Sequence, residues 1–177
     1  MSVSAQRQPA ADRHPNLVRL DAVRAAARQA RMRAFLDYYT SMHPAGRLPA
    51  RGDFDPLHIP RLLPHLMLVD VDRSSTAGLR FRVRVAGEYV TAATLPALAG
   101  RWLDEIDPAE YDTAVMIAAR RSVAESGLLD HGYGRSAARF RLDFANLEYA
   151  HCPLAEDGET VSHILSFYQS EAFLRAD

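Results

Sequence analysis

The sequence predicts an α+β fold, and three stretches carry that expectation. Residues 79–87 alternate with period two, placing Phe81, Val83 and Val85 on one face and Arg80, Arg82 and Arg84 on the other, the pattern of a half-buried strand. Residues 108–126 have the period of a helix together with its start and stop signals. Beyond Gly127 the strand pattern returns, over about 129–136, 141–153 and 160–169.

Taken in order, residues 1–15 are polar and proline-bearing and read as a disordered leader. Residues 16–43 read as one long helix: alanine is plentiful, Asn16 is placed to cap, and no glycine or proline interrupts the run to Met42. Within it Met32, Phe35, Leu36 and Tyr39 recur at i, i+3, i+4 and i+7 and form one apolar stripe, while Arg24, Arg28 and Arg31 follow a different face. Pro44, Gly46 and Pro49 end this helix and open a domain over 44–177. Asp55 and Pro56 start a short helical turn that Pro60 and Pro64 keep short. Residues 66–71 form a first strand, joined to the alternating one through the polar stretch 73–78 as a hairpin. Short helical pieces follow at 88–94 and 102–106, separated by Pro96 and Gly100.

In the helix expected over 108–126, Asp107 caps, Pro108 takes the first position, Glu110 completes a capping box and Gly127 stops it. Arg120 and Arg121 then complement the dipole near its C-terminal end, and Tyr111, Ala114, Val115 and Ala118 form the inward stripe. Asp157-Gly158 supplies the two positive-φ positions of a type I′ turn between the last two strands. That register opposes Cys152 to His163 and Leu154 to Val161.

Composition narrows the function. All 21 basic residues are arginine, so lysine-dependent chemistries, including a P-loop, a Schiff base and a Ser-Lys dyad, have no amine to use. One cysteine forbids an internal disulfide and fits a reducing, cytoplasmic compartment. A net charge of -1 disfavours nucleic acid, and no apolar run is long enough to cross a membrane.

The element order is a long helix, two strands, short helices, one good helix and three strands. With it come residues 48–56, then 59–64, then 81–87, then Leu98-Ala99-Gly100-Arg101, then 153–158. In these blocks over residues 32–170 the chain resembles the stand-alone PAS-like sensory domains of alphaproteobacteria. The resemblance implies a five-stranded antiparallel sheet in the order 2-1-5-4-3 with helices on one face. It also implies an N-terminal helix that caps the sheet or pairs two subunits of a homodimer, in which case Met32, Phe35, Leu36 and Tyr39 are the dimer interface. The role implied is regulatory, and neither ligand nor cofactor comes with it.

The residues exclude some PAS cofactors. The cysteine lies in a late strand and not in an Asn-Cys-Arg block on a short helix, which argues against covalent flavin photochemistry; the 108–126 helix has no histidine for haem, leaving only Tyr111 as a conceivable ligand. Cys152 and His163 could face each other, but His151 points the other way along its strand, too few ligands for zinc. Gly132-Tyr133-Gly134 reads as a bulged or closely approached strand, and the arginine ladder as a face meeting solvent or carboxylates. Were the N-terminal helix to cover that face, Arg84 would need an acid such as Glu148 or Asp143. By the geometry of the resembled fold, the ligand pocket falls among Phe81, Val83, Trp102, Tyr111, Val115 and Tyr133. The reading is therefore a non-enzymatic sensor without its own output domain, acting through a small ligand or an unknown signalling partner. Two rivals stand beside it: an adaptor with a filled core, and a small α+β cone enzyme of the isomerase or dehydratase type.

Overall fold

The computed structural model of the protein describes residues 13–136, 140–142 and 144–171. Most of the leader therefore lies outside the described residues. Its last residues are ordered into α1 (Pro15–Ala26), where His14 Nδ1 accepts from Asn16 N and caps the helix.

Five strands, β1 (Leu66–Asp72), β2 (Arg80–Ala86), β3 (Asp130–Gly134), β4 (Asn146–Leu154) and β5 (His163–Glu171), form one sheet in the order β2-β1-β5-β4-β3. Every pairing is antiparallel. Two apolar layers sandwich the sheet. On the outer face, α1 and α2 (Ala30–Met42) bury Leu17, Leu20, Met32, Phe35, Leu36 and Tyr39 against Leu68, Ala150, Cys152, Leu165 and Phe167. On the inner face, α3 (Glu88–Ala93), a short 3-10 turn at Leu103–Glu105 and α4 (Ala114–Ser126) pack on Met67, Val69, Phe81, Val83 and Ile164.

Several local expectations are corrected. The long N-terminal helix is two helices, and its break carries neither glycine nor proline. Instead the Glu148 carboxylate accepts from Arg28 N (2.8 Å) and Gln29 N (2.9 Å), supplying the partners that a continuous helix would have provided. Asn16 is not the cap but a buried tie: it donates to Tyr39 Oη and His43 Nε2 (both 3.1 Å) and accepts from Leu129 N (2.7 Å). α4 starts at Ala114 and not at Pro108, because Asp107 closes a separate turn through Ala109 N and its carbonyl takes Glu110 N and Tyr111 N. Glu110 leaves the expected capping box for a bidentate pair with Arg101 (3.0 and 2.9 Å). Gly127 does end the helix, in the left-handed conformation.

The register slips between Leu68 and Val69, so that Leu68 opposes Val85 while Val69 opposes Val83. This bulge at Arg84 carries Val85 to the outer face, away from Phe81 and Val83, where it is 52% exposed. The last hairpin is longer than two residues, because Asp157 Oδ1 gathers Glu159 N and Thr160 N (2.9 and 2.7 Å) into a wider loop. Cys152 consequently opposes Leu165, and His163 opposes Leu154. Gly132 is a close approach as expected: a Cβ there would lie 2.6 Å from the ring of its cross-strand partner Tyr149.

Candidate functional site

The inward stripe of α4 is rotated from the one expected. Val115 is 45% exposed, and the buried positions are Arg120, Val123 and Ala124, with Met116 and Ile117 half-buried above them. Arg120 is fully buried. Its Nη1 donates back along the helix to Met116 O (2.9 Å), its Nη2 donates to Tyr168 Oη on β5 (2.6 Å), and its Nε has no partner.

Around this guanidinium stand Tyr111, Tyr168 and His151. The Tyr111 hydroxyl has no partner either; burial pushes its pKa up, Tyr168 adds to that and the Arg120 charge opposes it. His151 is buried beside Tyr149 and Tyr168, with Nδ1 2.9 Å from Ser166 Oγ. Burial, and then the Arg120 charge, hold it well below the usual histidine range, so the ring is neutral at physiological pH.

Against this cluster lies a cavity of about 40 Å³ between α3 and the sheet, lined by Tyr89, Val90, Ala93 and Thr94 from α3, Met116 from α4, Phe140, Phe144, Leu147 and Tyr168. The Tyr89 hydroxyl is also buried without a partner. Gly87 sets α3 close to the preceding turn, since a Cβ there would come within 2.3 Å of the Leu63 and Pro64 carbonyl oxygens.

None of the six expected pocket residues lines this cavity. Phe81 and Val83 are core beneath the short helices, and Tyr111 touches it only through Phe140, whose ring centroid is 6.5 Å away. Trp102 is a half-buried edge residue under Arg80 (4.4 Å) and Arg82. Tyr133 opposes Glu148 and lies on the outer face beneath Arg28 (4.3 Å). Two of the three ladder arginines are neutralised locally: Arg80 pairs with Asp104 and Glu105, and Arg84 pairs with Asp70 (2.7 Å) and not with Glu148, while Arg82 donates to Gly100 O (3.1 Å); Asp143 lies outside the described residues. Sequence reasoning missed Arg120 because an arginine late in a helix was assigned to the dipole. Its spacing from Met116, Val123 and Ala124, at four, three and four residues, was the available sign that it sits within the apolar stripe.

The dimer stripe is likewise placed elsewhere than expected. Met32, Phe35, Leu36 and Tyr39 have no exposed surface; Phe35 stacks on Phe167 at 5.0 Å, so the stripe is spent on the chain's own sheet. Glu148, the fully buried acid among the described residues, sits on the outer face, where it also accepts from His131 Nε2 (3.0 Å); its role is structural. Among the described residues no helix is long and apolar enough to cross a membrane.

A family model described as PAS domain matches residues 27–166. Among solved structures, a chain described as an RNA-binding Light-Oxygen-Voltage receptor is 17% identical, with a TM-score of 0.38; the match covers 85% of this chain and 47% of that one. This chain thus spans about half the length of that structural neighbour. No curated protein matches the sequence significantly.

Proposed function

The chain belongs to the PAS domain family, a sensory and not an enzymatic class, and from that premise we propose that it takes up a small molecule in the inner-face cavity and passes the change through β5 to the N-terminal helices. The observation that carries this reading is the double role of consecutive residues on β5. Tyr168 lines the cavity and accepts from Arg120, while on the opposite face its neighbours hold the helices: Phe167 stacks on Phe35, and the Gln169 carbonyl accepts from Gln29 Nε2 (3.0 Å) at the α1–α2 break. A ligand that moves Tyr168 therefore pulls on the point where α1 joins α2.

In this reading the output passes to a separate signalling protein, and the chain works as a homodimer whose contact lies outside the buried α2 stripe. Native mass spectrometry and an absorption spectrum of freshly purified protein test the central claim. A retained small molecule is expected. Apoprotein alone, with no thermal shift across a panel of metabolites, would overturn it and favour an adaptor with a filled core. Light scattering that finds only monomer mass at every concentration would remove the dimer.

A further inference from the structure

We propose that the cavity beneath α3 is built for a small monocarboxylate, and that Tyr168, backed by Arg120, is its anchor. This rests on the sensory reading above and deepens it by naming the class of ligand.

Arg13, Arg24, Arg80, Arg84 and Arg101 all find carboxylates, at surface positions where an ion pair matters least. Arg120, with no exposure at all, has as partners only a backbone carbonyl and a phenol, and among the described residues it makes no salt bridge. A buried cation without a counter-charge is strongly unfavourable, so the site is incomplete until an anion arrives.

The anion has a defined place. Because Tyr168 Oη already accepts from Arg120, its own proton is left to donate, and Tyr168 lines the cavity. A phenol backed by a guanidinium is a charge-assisted donor that one carboxylate oxygen can accept from, and Tyr89, whose hydroxyl is without a partner, lines the same cavity; Arg120 is not itself in the wall and acts through Tyr168. Of the remaining walls, Val90, Ala93, Met116, Phe140, Phe144 and Leu147 are apolar and Thr94 spends its hydroxyl on Val90 O, which suits a short hydrocarbon tail over an inorganic ion.

Charge and size then narrow the class. One cation stands behind the cavity and His151 beside it is neutral, so a dianion would keep an unbalanced charge. With each enclosed water needing about 10–15 Å³, the cavity has room for roughly three water-sized groups, which the two oxygens and the methyl group of acetate fill, with propionate as the upper limit.

Thermal unfolding and titration calorimetry of the full chain with sodium acetate and propionate test this, with sodium chloride, sodium nitrate and propionamide at matched ionic strength. Expected is a saturable rise in midpoint of roughly 5 °C at a hundredfold excess of carboxylate over Kd, with none from the other three. Arg120→Met should keep at least the ligand-free midpoint of the parent, since it deletes an uncompensated charge, and should lose the response. Tyr168→Phe should fold normally and bind about tenfold more weakly. An equal response to propionamide or chloride overturns the proposal, as does a parent that ignores carboxylates while Arg120→Met loses midpoint, which would make Arg120 a structural tie. A neutral molecule found in the cavity with no carboxylate response removes the anchor but leaves the sensory reading; an empty cavity and no response remove both.

Discussion

Both faces of the sheet carry an apolar layer, but the two layers differ in how far they satisfy their buried polar groups. On the outer face Asn16 uses both amide protons and its carbonyl oxygen, Tyr39 donates to Pro153 O, and Glu148 is filled by two backbone amides and a histidine. Among the described residues, Gln169 Oε1 is the outer-face side-chain atom left over. On the inner face Arg120 Nε and the hydroxyls of Tyr89 and Tyr111 have no partner. A layer that completes its own hydrogen bonds is a seal; a layer that leaves donors open, one of them on a tyrosine that lines a hollow, is a site awaiting something.

Substitutions on the two faces test this difference. The largest effect is expected at Glu148→Ala, which strands Arg28 N, Gln29 N and His131 in a dry layer; a loss of about 3 kcal/mol in urea unfolding is expected. A loss below the usual surface value of about 0.5 kcal/mol would mean that water satisfies the helix break.

The next effect is a pH dependence. His151 has its folded pKa depressed, so below the ordinary histidine value of about 6.5 the unfolded chain takes up a proton that the folded chain refuses. Its contribution to stability is full above that pH and falls by about 1.4 kcal/mol per unit as pH drops toward the folded pKa. His14, His43, His65 and His163, all lowered chiefly by burial, act in the same direction. Denaturant midpoints of the parent and of His151→Phe between pH 7.5 and 5 should therefore converge as pH falls, and parallel curves would mean that His151 charges freely in the fold.

The smallest effect is expected at Tyr111→Phe. On the outer face, removing a polar group costs stability; here the hydroxyl has no partner to lose, so the variant should be neutral or more stable by up to about 1 kcal/mol. A clear loss would place a bound group on that oxygen and move Tyr111 into the site.

The alternating strand and the apolar stripe of α2 were legible because they are written in local periodicity, whereas the strand order came from the resemblance to PAS-like domains. The strand 80–86 alternates, and Met32, Phe35, Leu36 and Tyr39 are all fully buried. What escaped was set by distant partners. The α1–α2 break is made by an acid 120 residues further along the chain, and no local breaker marks it. The bulge at Arg84 leaves the alternation of β2 intact on paper while turning Val85 to the other face. Asp107-Pro108 has every sign of a helix start, yet its turn closes on itself. The cavity was the least legible part, because Tyr89, Phe144 and Leu147 come together only through the closed sheet, and the most telling residue behind it is an arginine that was assigned to the helix dipole.

The fully buried Cys152 gives the protein a clock. As the one sulfhydryl in the sequence, set with no exposure between α2 and β5 and with its ionisation pushed up by burial, it is shielded from alkylating reagents while the outer layer stays closed. Each labelling event then records one opening of that layer, so a single mass increment, followed over time with and without an occupant in the distant cavity, times how firmly one side of the sheet holds when the other is filled.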